Sequence, residues 1–240
     1  MEEIEFYKYL DQQARKIDIM LSEEQLQKFY KYMKLLLEWN EKINLTAIIE
    51  PKEIILKHFI DSLSIIKYIK NKNSLVDVGT GAGFPGIPIK IVLPEIKVIL
   101  IDSLNKRITF LNEVISQLDL KYIEAVHSRV EDFARNKEYR EKFDVATARA
   151  VAQLPIILEY LIPLTKVKGN IICMKGNKID EEIKKSKKAI SVLGGNLEKI
   201  DNFYLPDTDI ERNIIIVNKV EKTSSKYPRK AGIPSKNPII

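Results

Sequence analysis

Scarcities set the first limits on this 240-residue sequence, which has one cysteine, two histidines and nine glycines. The lone thiol, Cys173, rules out an internal disulfide, and its setting in Ile171-Ile172-Cys173-Met174 predicts a buried, inert side chain. Two separated histidines and one cysteine supply no recognisable ligand spacing, so no metal site is expected. Apolar runs end after four or five residues, as in Ile214-Ile215-Ile216-Val217, far short of the roughly 20 needed to cross a bilayer. No membrane span is expected. The acidic start Met1-Glu2-Glu3 leads into no apolar segment, which predicts no export signal and a cytoplasmic protein. No self-complementary apolar stripe demands a dimer, so a monomer is expected. Glycine is missing altogether before Gly79.

What is present reads as a soluble globular chain with one sizeable core, at 45% hydrophobic and 30% charged residues. The net charge of +6 is modest but unevenly spread. From Lys222 to Ile240 there are five basic residues (Lys222, Lys226, Arg229, Lys230, Lys236) and no acidic one. Residues 222–240 therefore suit phosphate, and their prolines predict an extended segment. At the other end, residues 1–72 predict a helical extension packed on the core. Helices are expected over 3–20 and 23–39, the second with Leu26, Phe29, Tyr30, Met33 and Leu37 on one face and Ser22 and Gln25 spaced for a capping box. Pro51 suits the first position of a third helix carrying Ile55, Phe59, Leu63, Ile66 and Ile69.

Over residues 73–221 the pattern alternates. Strands are expected over 75–79, 97–102, 121–126, 143–148, 170–175, 199–205 and 213–220, with helices over 86–93, 104–118, 129–136, 153–165 and 178–193. Strands separated by helices predict parallel crossovers and an α/β, doubly wound sheet. Only Pro206-Asp207-Thr208-Asp209-Ile210-Glu211 lies between the last two strands. That connection is too short for a crossover helix, so the final strand should return antiparallel. A mainly parallel, Rossmann-like seven-stranded sheet with an antiparallel last strand is, by analogy, the plan of class I methyltransferases rather than of dinucleotide dehydrogenases.

One stretch organises the rest. Ser74-Leu75-Val76-Asp77-Val78-Gly79-Thr80-Gly81-Ala82-Gly83-Phe84-Pro85-Gly86 passes from a buried strand straight into a bare turn, where a ligand can approach the main chain and meet a helix N-terminus. Residues 81–86 satisfy G-x-G-x-x-G, so a nicotinamide or flavin dinucleotide is one candidate ligand. Pro85 and Pro88, flanking Gly86, remove amides that a pyrophosphate would use. Asp77 precedes Gly79, Gly81 and Gly83 in a pattern that resembles motif I of enzymes using S-adenosylmethionine. A carboxylate there suits a cationic ligand and repels a pyrophosphate. Asp102 ends the second expected strand and can accept from the ribose hydroxyls of either ligand. Val130 and Glu131, after the third strand, offer a loop for adenine. Helix capping is the plainer reading of these acids.

Several stretches then act together: Trp39 to Thr46, His58-Phe59-Ile60-Asp61-Ser62, the turn from Val76 to Pro88, Asp102-Ser103-Leu104-Asn105-Lys106-Arg107, Arg149-Ala150-Val151-Ala152, Lys175-Gly176 and Tyr227-Pro228-Arg229-Lys230. Jointly they resemble the bacterial small-subunit rRNA guanine-N7 methyltransferases, the family of glucose-inhibited division protein B, from about residue 20 onward. The resemblance implies a class I methyltransferase fold, S-adenosylmethionine as methyl donor, and methylation of one guanine in 16S rRNA, free or within the small ribosomal subunit. It also implies that Gly79, Phe84, Val130, Glu131 and Arg149 line the methyl-donor site.

Guanine N7 holds an in-plane lone pair and no proton, so such a transfer needs no general base. Alignment should dominate, with N7 brought to within about 3–3.5 Å of the methyl carbon. Asn44, His58, Arg149 and Lys175 are the candidate substrate-positioning residues, and Lys106, Arg107, Arg212, Tyr227, Arg229 and Lys230 the candidate RNA contacts. Each has a plainer reading, Asn44 as a loop residue and the cations as solvated surface. His58, Asp61 and Ser62 share a helix face, but with no nucleophile elbow they predict a local network tying the third helix to the sheet rather than a hydrolase triad. Two readings compete with the methyltransferase. One is an rRNA-binding or ribosome-assembly protein on the same fold without turnover, the other a NAD-dependent oxidoreductase.

Overall fold

The computed structural model describes residues 1–177 and 179–240. Seven strands, β1 Ser74–Val78, β2 Lys97–Asp102, β3 Ile123–His127, β4 Phe143–Arg149, β5 Thr165–Lys175, β6 Gly195–Tyr204 and β7 Glu211–Lys219, form one sheet in the order β3-β2-β1-β4-β5-β7-β6. Pairings from β3 through β5 are parallel, while β7 runs antiparallel to both β5 and β6. The expected sheet, with its reversed final strand, is present. β5 begins five residues earlier than expected, at Thr165, because exposed Lys166 and Lys168 give its first half a polar, loop-like composition.

Helices Gly86–Val92, Asn105–Gln117, Val130–Phe133, Leu154–Leu161 and Asp180–Val192 fill the connections. The helix expected over 153–165 ends early, in a 3-10 turn at Ile162–Leu164 that contains Pro163. Of the helix expected over 178–193, residue 178 lies outside the described residues. The extension holds helices Glu3–Arg15 and Glu23–Ile43. The second opens on the expected capping box, Ser22 Oγ accepting from Gln25 N at 3.2 Å and Gln25 Oε1 from Ser22 N at 2.9 Å. Asn44, left-handed at φ 48°, ends it. The third helix is composite: α-helical over Pro51–Ile54, π-helical over Ile55–Ile60 and α-helical again over Asp61–Leu63.

Period-two alternation sends Leu75, Ile172, Ile214 and Ile216 to one face of the sheet and Val76, Ile171, Cys173, Ile215 and Val217 to the other. The first face packs against Phe6, Phe29, Tyr32 and Phe59 of the extension, so the N-terminal helices form half of a shared core. Each such side chain contributes roughly 1.5–3 kcal/mol by leaving water. Burial pushes the Cys173 thiol up to about 12, as its inert reading requires.

The C-terminal segment differs from the extended tail expected of it. It folds back on the core, turns repeatedly, and carries the short helix Ile233–Lys236. Arg140 donates to the carbonyls of Thr223, Ser224 and Tyr227 at 2.9, 3.1 and 2.7 Å, and Arg135 to that of Pro228 at 2.9 Å. These partners lie far away in sequence, where proline content carries no hint of them. Among the described residues no helix is long and apolar enough to cross a membrane.

Candidate active site

Strand order reverses between β1 and β4, and two cavities open beside that switch point at the carboxyl edge of the sheet. The first, of about 440 Å3, is lined by Val78 and Gly79 at the end of β1, Asp102, Ser103 and Leu104 at the end of β2, Ser128 to Glu131 after β3, and Val151 after β4. The turn beneath it needs glycine. At Gly79, φ is +67° and a Cβ would lie 2.7 Å from Val151 Cγ2. At Gly83, φ is +101° and a Cβ would strike Ile87 and the Tyr32 hydroxyl. Tyr32 in turn donates to the Ala82 carbonyl, so the extension braces the turn from below.

Asp77 is wholly buried within this turn. Its Oδ2 accepts from Thr80 Oγ1 at 2.7 Å and Gly86 N at 2.9 Å, while Oδ1 is sealed off and has no partner among the described residues. Burial outweighs those hydrogen bonds and raises its carboxyl to about 6. Asp77 is not among the cavity's lining residues and acts on the turn instead. Asp102 lines the cavity and also clamps the turn, accepting from Gly81 N at 3.0 Å, Leu104 N at 2.9 Å and Arg107 Nη1 at 3.1 Å. Glu131 lines the same cavity and accepts from Gly232 N at 3.1 Å, which ties the wall to the C-terminal segment.

The second cavity, of about 450 Å3, is lined by Ile48, Lys57, His58 and Asp61 of the extension, Arg149 and Ala150 at the end of β4, Met174 to Gly176 at the end of β5, and Arg212 of β7. Arg149 is its hub. Its guanidinium donates to the Lys57 carbonyl at 3.0 Å, to Asp61 Oδ2 at 3.1 Å and to His58 Nδ1 at 3.2 Å, and lies 5.0 Å from the centre of the Phe84 ring. Arginine can only donate, so His58 Nδ1 is the acceptor and the neutral ring carries its proton on Nε2, 2.8 Å from Thr46 Oγ1. Burial first, then the charge of Arg149, holds the imidazole down at about 3. His58 also stacks on Phe84 at 4.4 Å. Asp61 Oδ1 accepts from Arg212 Nε at 3.0 Å, and Lys175 pairs with Glu182 at 2.7 Å while donating to the Ala152 carbonyl at 2.8 Å. Ser62 Oγ turns away, donating to the His58 carbonyl, so the three-residue face forms the expected network rather than a triad.

His58, Arg149, Lys175 and Arg212 are thus gathered at one cavity, and Gly79, Asp102, Val130 and Glu131 at the other. Asn44 lies exposed outside both, as a helix cap. Phe84 sits under His58 and Arg149 rather than in the first cavity's wall. Lys106 and Lys230 are exposed. Arg107 is paired with Asp102, and Arg229 with the fully buried Glu159 at 2.6 Å. Tyr227 is half-buried, its carbonyl held by Arg140. Lys57, Ser128 and Arg129 went unmarked in the sequence, although the last two follow a strand end.

A family model described as GidB, rRNA small subunit methyltransferase G, matches residues 25–215. The chain belongs to this family. It is 56% identical over 238 residues to the ribosomal RNA small subunit methyltransferase G of Acetivibrio thermocellus, covering 99% of this chain and 98% of that protein. To the protein of the same name from Desulforamulus reducens it is 54% identical, covering 96% and 97% of the two chains. Among solved structures, TYW2 of M. jannaschii in complex with AdoMet is similar over 68% of this chain and 76% of that one, with a TM-score of 0.53 and 18% identity. That likeness concerns the fold. The GidB match covers both the turn at 79–86 and all but the last few residues of the sheet.

Proposed function

We propose that this protein transfers the methyl group of S-adenosylmethionine to N7 of a guanine in 16S rRNA. The same reading makes it a cytoplasmic enzyme, working as a monomer on its rRNA. S-adenosylmethionine fits the first cavity. Gly79 keeps the backbone bare where a Cβ would meet Val151, Leu104 and Val130 offer apolar walls to a flat ring, and Asp102 and Glu131 place carboxylates at its edges. Bound there, it supplies an electrophilic methyl group on a sulfonium. Asp102 already accepts from Gly81, Leu104 and Arg107, and a carboxylate has about four lone-pair sites. Arg107, on the solvent side, is the partner that yields to a ribose hydroxyl. Asp77 and Gly83 keep the turn in shape.

The observation that carries the proposal is the state of the second cavity. Its candidate proton acceptors are already engaged: both His58 nitrogens have partners, and Lys175 is paired with Glu182. A site with no free base among its described residues suits a nucleophile that arrives with a lone pair and no proton, as guanine N7 does. Arg149, His58 and Lys175 then orient the base and exclude water, and rate comes from alignment. Incubating small subunits, or deproteinised 16S rRNA, with labelled methyl donor and mapping N7-methylguanine by chemical cleavage tests this. Transfer to one guanine is expected. No label in rRNA, or label at another atom, would overturn it, as would NADH binding without S-adenosylhomocysteine binding.

A further inference from the structure

Asp61 sits at the end of the π-helical turn and is buried, yet it answers two cations. One oxygen takes Arg149 at 3.1 Å and the other takes Arg212 at 3.0 Å. The two arginines come from strands β4 and β7, so a single carboxylate of the extension sets both guanidiniums at one cavity. Their remaining capacity differs. Arg149 has three of its N–H groups committed to Lys57, Asp61 and His58 and its face on Phe84. Arg212 donates from Nε to Asp61 and from Nη1 to the Glu211 carbonyl, and among the described residues its Nη2 donates to nothing. The neighbouring cations are balanced, Lys57 by Glu53 and Lys175 by Glu182. Two arginines against one carboxylate leave a surplus positive charge, and among the described residues Arg212 has the more open donors, three N–H groups against two on Arg149.

We infer that Asp61 is a positioning residue that aims the free guanidinium edge of Arg212 at a backbone phosphate of the target RNA strand. The inference rests on the proposed function for the identity of the ligand. A guanidinium fork with two open N–H groups matches phosphate oxygens. Fixing Arg212 Nε on Asp61 keeps the fork from turning toward solvent. A purely structural Asp61, riveting the third helix to the sheet, would affect stability without selecting for phosphate.

The test is a double-mutant cycle on D61N and R212A in the full chain, read by rRNA affinity across a salt series, by S-adenosylhomocysteine affinity, and by methyl transfer. R212A should weaken rRNA binding about tenfold and lower the salt slope by about one. D61N should do the same, the double variant should be no worse than either single one, and S-adenosylhomocysteine should bind all three as it binds the wild type. R212K, which keeps the charge without the fork, should recover part of the affinity. Additive losses, or an unchanged salt slope in R212A, would overturn the inference. The R212A slope decides alone if D61N fails to fold. A protein that binds rRNA with the expected slopes but transfers no methyl would end the functional reading and leave the phosphate site standing.

Discussion

The two cavities at the sheet's edge are made of different materials. The first cavity, the proposed methyl-donor site, is main chain held by carboxylates: Asp77 and Asp102 accept backbone amides of the turn, and Glu131 accepts Gly232 N. The second, the proposed base site, is side chain held by side chain, with Arg149, Arg212, His58 and Asp61 locked to one another. The N-terminal extension serves both, since Tyr32 also holds the turn beneath the first through the Ala82 carbonyl. The C-terminal segment supports the first through Gly232, and the N-terminal extension supplies four residues of the second. A backbone-built cavity should fail through shape and a side-chain-built one through charge.

Gly79→Val attacks shape directly and should have the largest effect. A left-handed φ costs a β-branched residue roughly 1–2 kcal/mol, and overpacking against Val151 adds about 1–3 kcal/mol. S-adenosylhomocysteine affinity should fall at least about 100-fold by titration calorimetry, with rRNA affinity unchanged. Gly81→Ala sharpens the point, because a Cβ there meets nothing within 4 Å. Only the backbone strain remains, and the loss should be about tenfold or less. Equal losses in the two variants would mean that Val151 does not confine the turn.

The same contrast explains what could be read from the sequence. The donor side is more local: Asp77 and the glycines lie within one strand-and-turn stretch, Asp102 ends the apolar run of β2, and Glu131 comes shortly after β3. Spacing alone finds them. The base side draws on residues 48, 57–61, 149–150, 174–176 and 212, and no local pattern links them. Asp61 was visible as part of a helix face with His58, but its pairing with Arg149 and Arg212 depends on the antiparallel return of β7. The π-helical turn had no signal in the periodicity. Arg229 was misleading for the opposite reason. A basic segment invites RNA, while the buried Glu159 that claims Arg229 sits within the apolar helix Leu154–Leu161, where a single acid draws no notice.

Arg229→Ala therefore probes the C-terminal brace rather than an RNA contact. Glu159 is fully buried, and removing the partner of a buried charge costs about 3–5 kcal/mol. The surviving hydrogen bond from Arg229 N, at 2.8 Å, and the partial exposure of the arginine reduce this to about 2–3 kcal/mol. Unfolding in urea should show that loss, limited proteolysis should cut after residue 221, and S-adenosylhomocysteine should bind severalfold more weakly as Gly232 leaves Glu131. Lys230→Ala, next door and exposed, should change stability by less than about 0.5 kcal/mol. Similar behaviour of the two variants would dissolve the distinction between a bracing cation and a solvated one.

The smallest effect sets one cavity against the other in pH. Asp77, raised from 3.8 to about 6 by burial, keeps its proton in the fold where the unfolded chain has lost it. Its contribution to stability is whole below pH 3.8 and is lost as pH rises through about 6. His58, lowered from 6.5 to about 3 by burial and Arg149, behaves in reverse. Its contribution is whole above pH 6.5 and is lost as pH falls toward 3. Between about pH 4 and 6 the two opposing slopes, each roughly 1.4 kcal/mol per pH unit, cancel. Asp77→Asn removes one of them while keeping the acceptor for Thr80 and Gly86. Its unfolding free energy, from urea titrations at pH 4, 5 and 6, should rise more steeply with pH than that of the wild type, by up to about 1.4 kcal/mol per unit. Parallel slopes would place Asp77 ionised within the fold, and with it a full negative charge beneath the glycine turn.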